Sequence, residues 1–316
     1  MSLGAAQVKE LDPAAAFEPG GVFKRAFAPL QRALDEQFKR RNANVKYPSD
    51  LLDPTPWLTR AGKGGPGYEQ YRAVSLARHC LDVMFLGALT AFLLWKSGML
   101  RPDLAPDDEE GFVKALTRVL VIALFHDADK YVGDGRSRSP TESDVETVYR
   151  DLALDRYVQM TSKEITALVS EVEQRGLVNA LLLPAISPLD GQLTKAVALA
   201  DRAVGDAAGR AAKEGVDEDQ ALVDSLSERL RQTFAIELPR QRVFRLRHQP
   251  AILREIQLEI LDSVPYRSGL PPLVLSVNGE ELTFALPESL PLAELLDAVQ
   301  QQWADERRPG CEPART

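Results

Sequence analysis

The sequence predicts a mainly α-helical bundle that ends in a small β-hairpin and a last helix. Three observations predict it. Between Tyr71 and Ser97 the apolar positions 76, 77, 80, 81, 84, 85, 88, 89, 92 and 93 follow helical spacing and form one wide stripe. The run VLVIALF before His126 is apolar on every side, which marks a helix central to the core. The stretch PPLVLSVNGEELTFALP has two alternating runs around Asn278-Gly279, the strongest short hairpin signal.

In order along the chain, residues 1–20 read as a partly disordered lead-in. A helix is expected over Val22 to Arg41, with Pro29 near its first turns. It ends in the basic cluster Lys39, Arg40 and Arg41, with Lys46 beyond. Tyr47 to Tyr68 is dense in Pro and Gly and reads as loop. The Tyr71 to Ser97 helix follows, with Gly98 as its stop, then an acidic loop and a helix from Phe112 to His126. Ala128 to Ser139 has two glycines and alternating charge, so it reads as a loop at the mouth of whatever His126 builds.

Helices are expected over 141–153, 161–176 and 177–183, then over Leu189 to Ala208, where Ser187 and Asp190 are candidate caps. Another amphipathic helix covers 217–233. PRQRVFRLRH, 239–248, reads as a half-buried strand with a basic face, because its alternation is imperfect but present. A helix over 250–263 precedes the hairpin, and the last helix begins near Pro291. This suggests an N-terminal helical segment (1–46), a central helical domain (47–235) and a C-terminal helix, hairpin and helix appendage (236–316).

A chain of 316 residues can hold one large domain or one domain with an appendage. With 45% hydrophobic and 27% charged residues it has the profile of a soluble globular protein. The net charge of −8 and pI near 5.2 exclude a generally basic nucleic-acid protein, while leaving room for a local basic groove. Cys80 and Cys311 cannot build a disulfide framework, so a reducing compartment, the cytoplasm, is expected. The apolar residues Ala14 to Phe17 are too few for a secretory signal. Cys80 to Trp95 is short for a membrane span and carries Asp82, so it reads as a buried core helix, and no membrane partner is expected.

The chain has three histidines, and two of them, His79 and His126, sit in or beside long apolar runs where an unpaired imidazole is costly to bury. Asp127 follows His126 directly, and KAVALADRA sets Asp201 in a similar apolar frame. Two imidazoles and two carboxylates suit a divalent ion and leave room for water and a phosphate oxygen. Such ligands must come from three separate helices packed around one point. A single histidine on an apolar helix is more often a satisfied core residue, and one HD pair is common by chance. The ordered set is far more specific: H on an apolar helix, then HDxxK, then an apolar helix with ADR.

Lys130 has two readings, neutralising a substrate phosphate or pairing with Asp127 or Asp129. Asp129 reads equally as an outer partner of a ligating imidazole or as a solvated loop acid. Arg202 suits a phosphate contact or a helix-surface ion pair, and His248, among arginines, reads as a surface or groove residue.

In this order, His79, His126, Asp127 and Asp201 resemble the metal site of the HD superfamily of metal-dependent phosphohydrolases. The resemblance implies an HD-domain helical bundle and these four residues as metal ligands. Two-metal HD enzymes show extra histidines between the HD pair and the final Asp. Residues 128–200 contain none, so one ion (Mn, Ni, Co or Mg) is expected. The segments QYRAVSLARHCLDVMFLGAL, LFHDADKYVG and LTKAVALADRA, and RLRHQPAILREIQLEILDS before the hairpin, are similar to the HD region of Cas10d (Csc3). Cas10d is the large subunit of type I-D CRISPR effectors, and the similarity runs over residues 45–290.

That resemblance implies a nuclease subunit that cleaves single-stranded DNA displaced during target recognition. Its partners would be other effector subunits and a guide RNA complex, or a Cas3-type helicase. His79, His126, Asp127, Lys130 and Asp201 would form the catalytic set. Lys39, Arg40, Arg41, Arg136, Arg138, Arg240, Arg242, Arg245 and Arg247 would track a nucleic-acid backbone. The sequence departs from that family in having no palm region and no Cys-rich zinc motif. This suggests a split subunit, a truncated variant or a CRISPR-linked HD nuclease of the Cas3 type. Two other functions use the same residues: a free-standing HD phosphohydrolase of nucleotides, mildly favoured by the net charge, and a non-catalytic HD scaffold docking partners through its C-terminal region.

Overall fold

Helix α1, Val22–Arg41, places Phe23, Phe27, Leu30 and Leu34 at three- and four-residue steps, and all four are buried. In the computed structural model, residues 21–41, 76–132, 140–173, 187–247, 260, 273–278, 281–290 and 293 are described. The expected loop at 47–68 and helix at 177–183 lie outside them, as do all but single positions of the helix at 250–263 and the last helix. Phe23 stacks on Phe92 with ring centroids 5.7 Å apart, and Phe27 on Phe85 at 5.2 Å, which docks α1 on helix α2, Leu76–Lys96. Buried side chains of α1, the central helices and the late strands form one continuous core.

Helix α2 is long and apolar enough to cross a membrane by composition, but its His79–Lys96 window is 94% buried inside the protein, so it is a core helix. Its far end is anchored by Trp95, which stacks on Phe112 at 4.1 Å and donates its indole N–H to the Ala105 carbonyl at 2.6 Å. Helix α3, Glu109–Phe125, starts before the expected Phe112 because Asp108 accepts the Gly111 N–H at 2.8 Å and caps it. It then runs through the all-apolar VLVIALF segment, which is wholly buried.

Of the loop expected over Ala128 to Ser139, residues 133–139 lie outside the described residues, and its start is not loop. Residues Ala128–Val132 form a short helix, α4, and the Lys130 N–H donates to the Asp127 carbonyl at 3.0 Å. Helix α5, Glu142–Asp151, has a capping box of Thr141 and Asp144. A 3-10 turn at Leu154–Arg156 and helix α6, Ser162–Glu173, follow. Helix α7, Pro188–Glu214, is capped by Ser187, whose hydroxyl accepts the Asp190 N–H at 3.1 Å. It runs past the expected end at Ala208, although its buried face stops there, because the first left-handed residue is Gly215, φ 68°. Helix α8, Glu218–Phe234, packs along α7 with Asp217 as its cap.

Helices α2, α3 and α7 are mutual neighbours, and Gly87 lets them close. A Cβ there would lie 3.3 Å from Val119 Cγ1 and 3.7 Å from Val197 Cγ2. Gly87→Leu is expected to cost about 1–3 kcal/mol by overpacking this junction. Urea denaturation would show it as a lowered midpoint, and an unchanged midpoint would mean the helices have slack.

The expected hairpin is present as β2, Leu273–Asn278, and β3, Glu281–Pro287, antiparallel and ending on the Asn278 and Glu281 pair. The basic segment also forms a strand, β1, Gln241–Arg247, and it joins the hairpin to give a three-stranded sheet in the order β1-β3-β2. The observed architecture is thus mainly α-helical with a small antiparallel sheet late in the chain. β3 is covered on both faces, since Leu282, Phe284 and Leu286 are buried and so are Thr283 and Ala285. β2 packs against α2, the helix that carries His79.

Candidate metal centre

The apolar faces that pack α2, α3 and α7 together also bring the four expected ligands to one point. His79 comes from the first turn of α2, His126 and Asp127 from the end of α3, and Asp201 from the middle of α7. The Nε2 atoms of His79 and His126 are 3.0 Å apart. Asp201 Oδ1 lies 3.1 Å from His79 Nε2 and 3.6 Å from His126 Nε2. Asp127 Oδ2 lies 3.5 Å and 3.7 Å from the same two nitrogens. Buried His79, His126 and Asp127 form a group that could hold a metal ion.

The donor set fits an ion by size as well as by chemistry. Donors about 2.1 Å from a metal are roughly 3.0 Å apart at right angles and roughly 3.4 Å apart at tetrahedral angles. The five separations that involve a histidine nitrogen, 3.0 to 3.7 Å, lie in or just above that range, while Asp201 stands outside the tight group of His79, His126 and Asp127 and approaches it through the two imidazoles. The tautomer also fits. His126 Nδ1 lies 2.6 Å from the Ala123 carbonyl, to which its N–H donates, so the Nε2 lone pair faces the centre. That carbonyl had no signal in the sequence, because any residue at position 123 supplies it.

His79 and His126 are fully buried and the Asp127 side chain is 4% exposed, whereas Asp201 is 31% exposed. The centre therefore opens on the α7 side. Lys130 is 26% exposed, within electrostatic reach of Asp201, and its ammonium is bonded to Asp127 Oδ1. Of its two readings, the pairing with Asp127 is the one seen. Asp129 is 2% exposed on α4, so the reading as a solvated loop acid does not hold. Asp82, used in the sequence only against a membrane span, is buried one turn beyond His79.

The electrostatics of the centre's own side chains follow from this crowding. Burial opposes protonation of His126, but the Asp127 and Asp201 carboxylates outweigh it, so the imidazole keeps its proton above the usual pH. Burial likewise opposes the charge on Lys130, and Asp127, with Asp201 and Asp129, more than restores it. A raised folded pKa stabilises the chain below the unfolded value of 6.5, and the contribution fades as pH rises through the folded value. The chelator-treated protein is therefore expected to lose thermal stability as pH is raised from 6.5, and divalent-ion affinity to rise over the same interval, because proton and ion share Nε2. Calorimetric melts with and without Mn²⁺ would check both signs.

Of the cationic residues expected to track a backbone, Arg245 and Arg247 are engaged with carboxylates, and Arg240 is exposed just before β1. Arg245 bonds Asp219 at 2.8 Å and Asp217 at 2.7 Å, and Arg247 bonds Glu281 at 2.8 Å. Its two carboxylate partners raise the Arg245 pKa further. Arg242 lies over the Phe244 ring at 5.5 Å. Arg242 and Arg245 line an open groove of about 680 Å³ with Asp217, Gln220, Gln241, Val243 and Glu288, none of which belongs to the His and Asp centre. Lys39, Arg40 and Arg41 fall in the last turn of α1, Arg202 is exposed, and Arg136, Arg138 and His248 lie outside the described residues. No family model, no curated protein and no solved structure matches the chain.

Proposed function

We propose that the chain is a metal-dependent phosphodiesterase of the HD kind, with one divalent ion held by His79, His126, Asp127 and Asp201. The observation that carries this is a pair of imidazole nitrogens 3.0 Å apart, with one carboxylate oxygen of Asp127 and one of Asp201 each within 3.1 to 3.7 Å of both, brought together by three helices. A divalent ion supplies two things at such a centre, activation of a water nucleophile and stabilisation of charge developing at phosphorus. The chain's own residues do the rest. The Ala123 carbonyl fixes the His126 tautomer, the buried imidazoles and Asp127 form the floor, and Asp201 faces the open side where a phosphate can approach. Lys130 keeps a positive charge within electrostatic reach of Asp201.

For the substrate we propose single-stranded DNA, cut within a CRISPR effector of type I-D or Cas3 character. Its supports are the sequence resemblance around all four ligands and the open Asp201 side, with the Lys130 cation within electrostatic reach. A second reading, hydrolysis of free nucleotides, is favoured by the net charge of −8 and by the engagement of Arg245 and Arg247 with acids. A cytoplasmic setting suits the buried free thiol of Cys80.

The deciding experiment incubates the chelator-treated chain with Mn²⁺, Ni²⁺, Co²⁺ or Mg²⁺ and either labelled single-stranded DNA or a nucleotide panel. Metal-dependent nicking that His126→Ala abolishes is the expected result. Turnover of nucleotides without DNA cleavage selects the second reading. An intact, ion-free centre in every condition points to a scaffold and overturns both.

A further inference from the structure

We propose that Lys130 takes the place of a second cation, so that its ammonium and a single divalent ion share the Asp127 carboxylate between them. This rests on the metal-centre reading above and adds why that centre holds one ion. The two oxygens of Asp127 serve opposite sides. Oδ2 lies 3.5 Å from His79 Nε2 and 3.7 Å from His126 Nε2, while Oδ1 carries the Lys130 ammonium. With the Asp127 side chain 4% exposed, this is a buried carboxylate shared between two positive positions rather than a surface ion pair.

The lysine is placed there by the backbone. Its N–H closes on the Asp127 carbonyl at 3.0 Å and starts α4. A residue three positions further along a helix projects its side chain back over the turn before it, which brings the ammonium onto Asp127. The unexpected helix in the HDADK segment is thus what turns Lys130 inward.

Charge favours this arrangement over two ions. Asp127 and Asp201 lie at the centre and the buried Asp129 is within electrostatic reach of Lys130, so three negative charges surround the ion and the ammonium, which together balance them. A second divalent ion beside the ammonium would leave two positive charges in excess in a largely buried site, a costly state. Residues 128–200 also offer no histidine to a second ion. Removing the lysine reverses the balance, leaving one negative charge in excess and Asp127 Oδ1 open to a cation.

The test titrates the chelator-treated full chain with Mn²⁺, counts bound metal by elemental analysis and reads its electron paramagnetic resonance. Wild type and Lys130→Arg are expected to saturate at one Mn²⁺ with a single-ion spectrum. Lys130→Ala, checked for folding by circular dichroism, is expected to saturate at two, with a spin-coupled signal. Lys130→Ala saturating at one ion overturns the proposal and leaves the metal centre standing. Wild type taking no ion overturns the metal-centre reading itself. The wild-type count also stands alone if the alanine variant does not fold: one ion supports the proposal and two overturn it.

Discussion

Replacing His126 with alanine is expected to abolish divalent-ion binding and bring any phosphodiester hydrolysis to background. The residue is fully buried, its Nε2 faces both carboxylates and the His79 nitrogen, and its Nδ1 is held by the Ala123 carbonyl. Losing only an outer partner of a metal ligand costs about 10–100-fold in affinity, and losing the ligand itself should exceed that. The substitution also leaves a cavity, so a second variant separates binding from folding. Asp201 is 31% exposed on an otherwise well-packed helix, and Asp201→Asn keeps its size. That variant is expected to melt within a few degrees of wild type yet bind Mn²⁺ far more weakly. Calorimetric titration decides the matter, and wild-type affinity in both variants would remove the four residues from metal binding.

The largest purely structural effect is expected at Trp95. Trp95→Ala removes the parallel stack on Phe112, the indole bond to Ala105 and the ring over which the Lys96 ammonium sits at 3.5 Å. Large aromatic truncations in a core cost about 3–5 kcal/mol, a considerable share of the 5–15 kcal/mol that holds a typical domain folded. The substitution lies sixteen residues beyond His79, about 24 Å along the helix, so ion affinity of the folded fraction should change little. Denaturation and Mn²⁺ titration of the same sample would show both. A loss below about 1 kcal/mol would mean that the α2 and α3 ends are held by something else.

What could be read from the sequence was whatever a short window contains. The stripe over 76–93 and the run before His126 specify helices by spacing alone, and both form. His79, His126 and Asp201 stood out because polar groups in apolar frames need partners, and each has found the others. The misses are interactions that a window cannot show. Asp108 looked like part of an acidic loop, but its carboxylate caps α3 and moves the helix start forward. The glycines and charges after Ala128 suggested loop, while one hydrogen bond from Lys130 to Asp127 starts a helix. The arginines of β1 were visible as charges. Their partners Asp217, Asp219 and Glu281 lie far off in the chain, so local pattern could not show that Arg245 and Arg247 were already paired.

The docking of β2 on α2 has a consequence for how the protein is made. The helix bearing His79 emerges from the ribosome early, whereas β2 and β3, which complete the covering of this part of the core, are synthesised some two hundred residues later. Until Pro287 has been made, a long apolar helix lacks part of its cover, a condition that invites aggregation or chaperone capture. Synthesis of β2 and β3 thus completes the cover of α2.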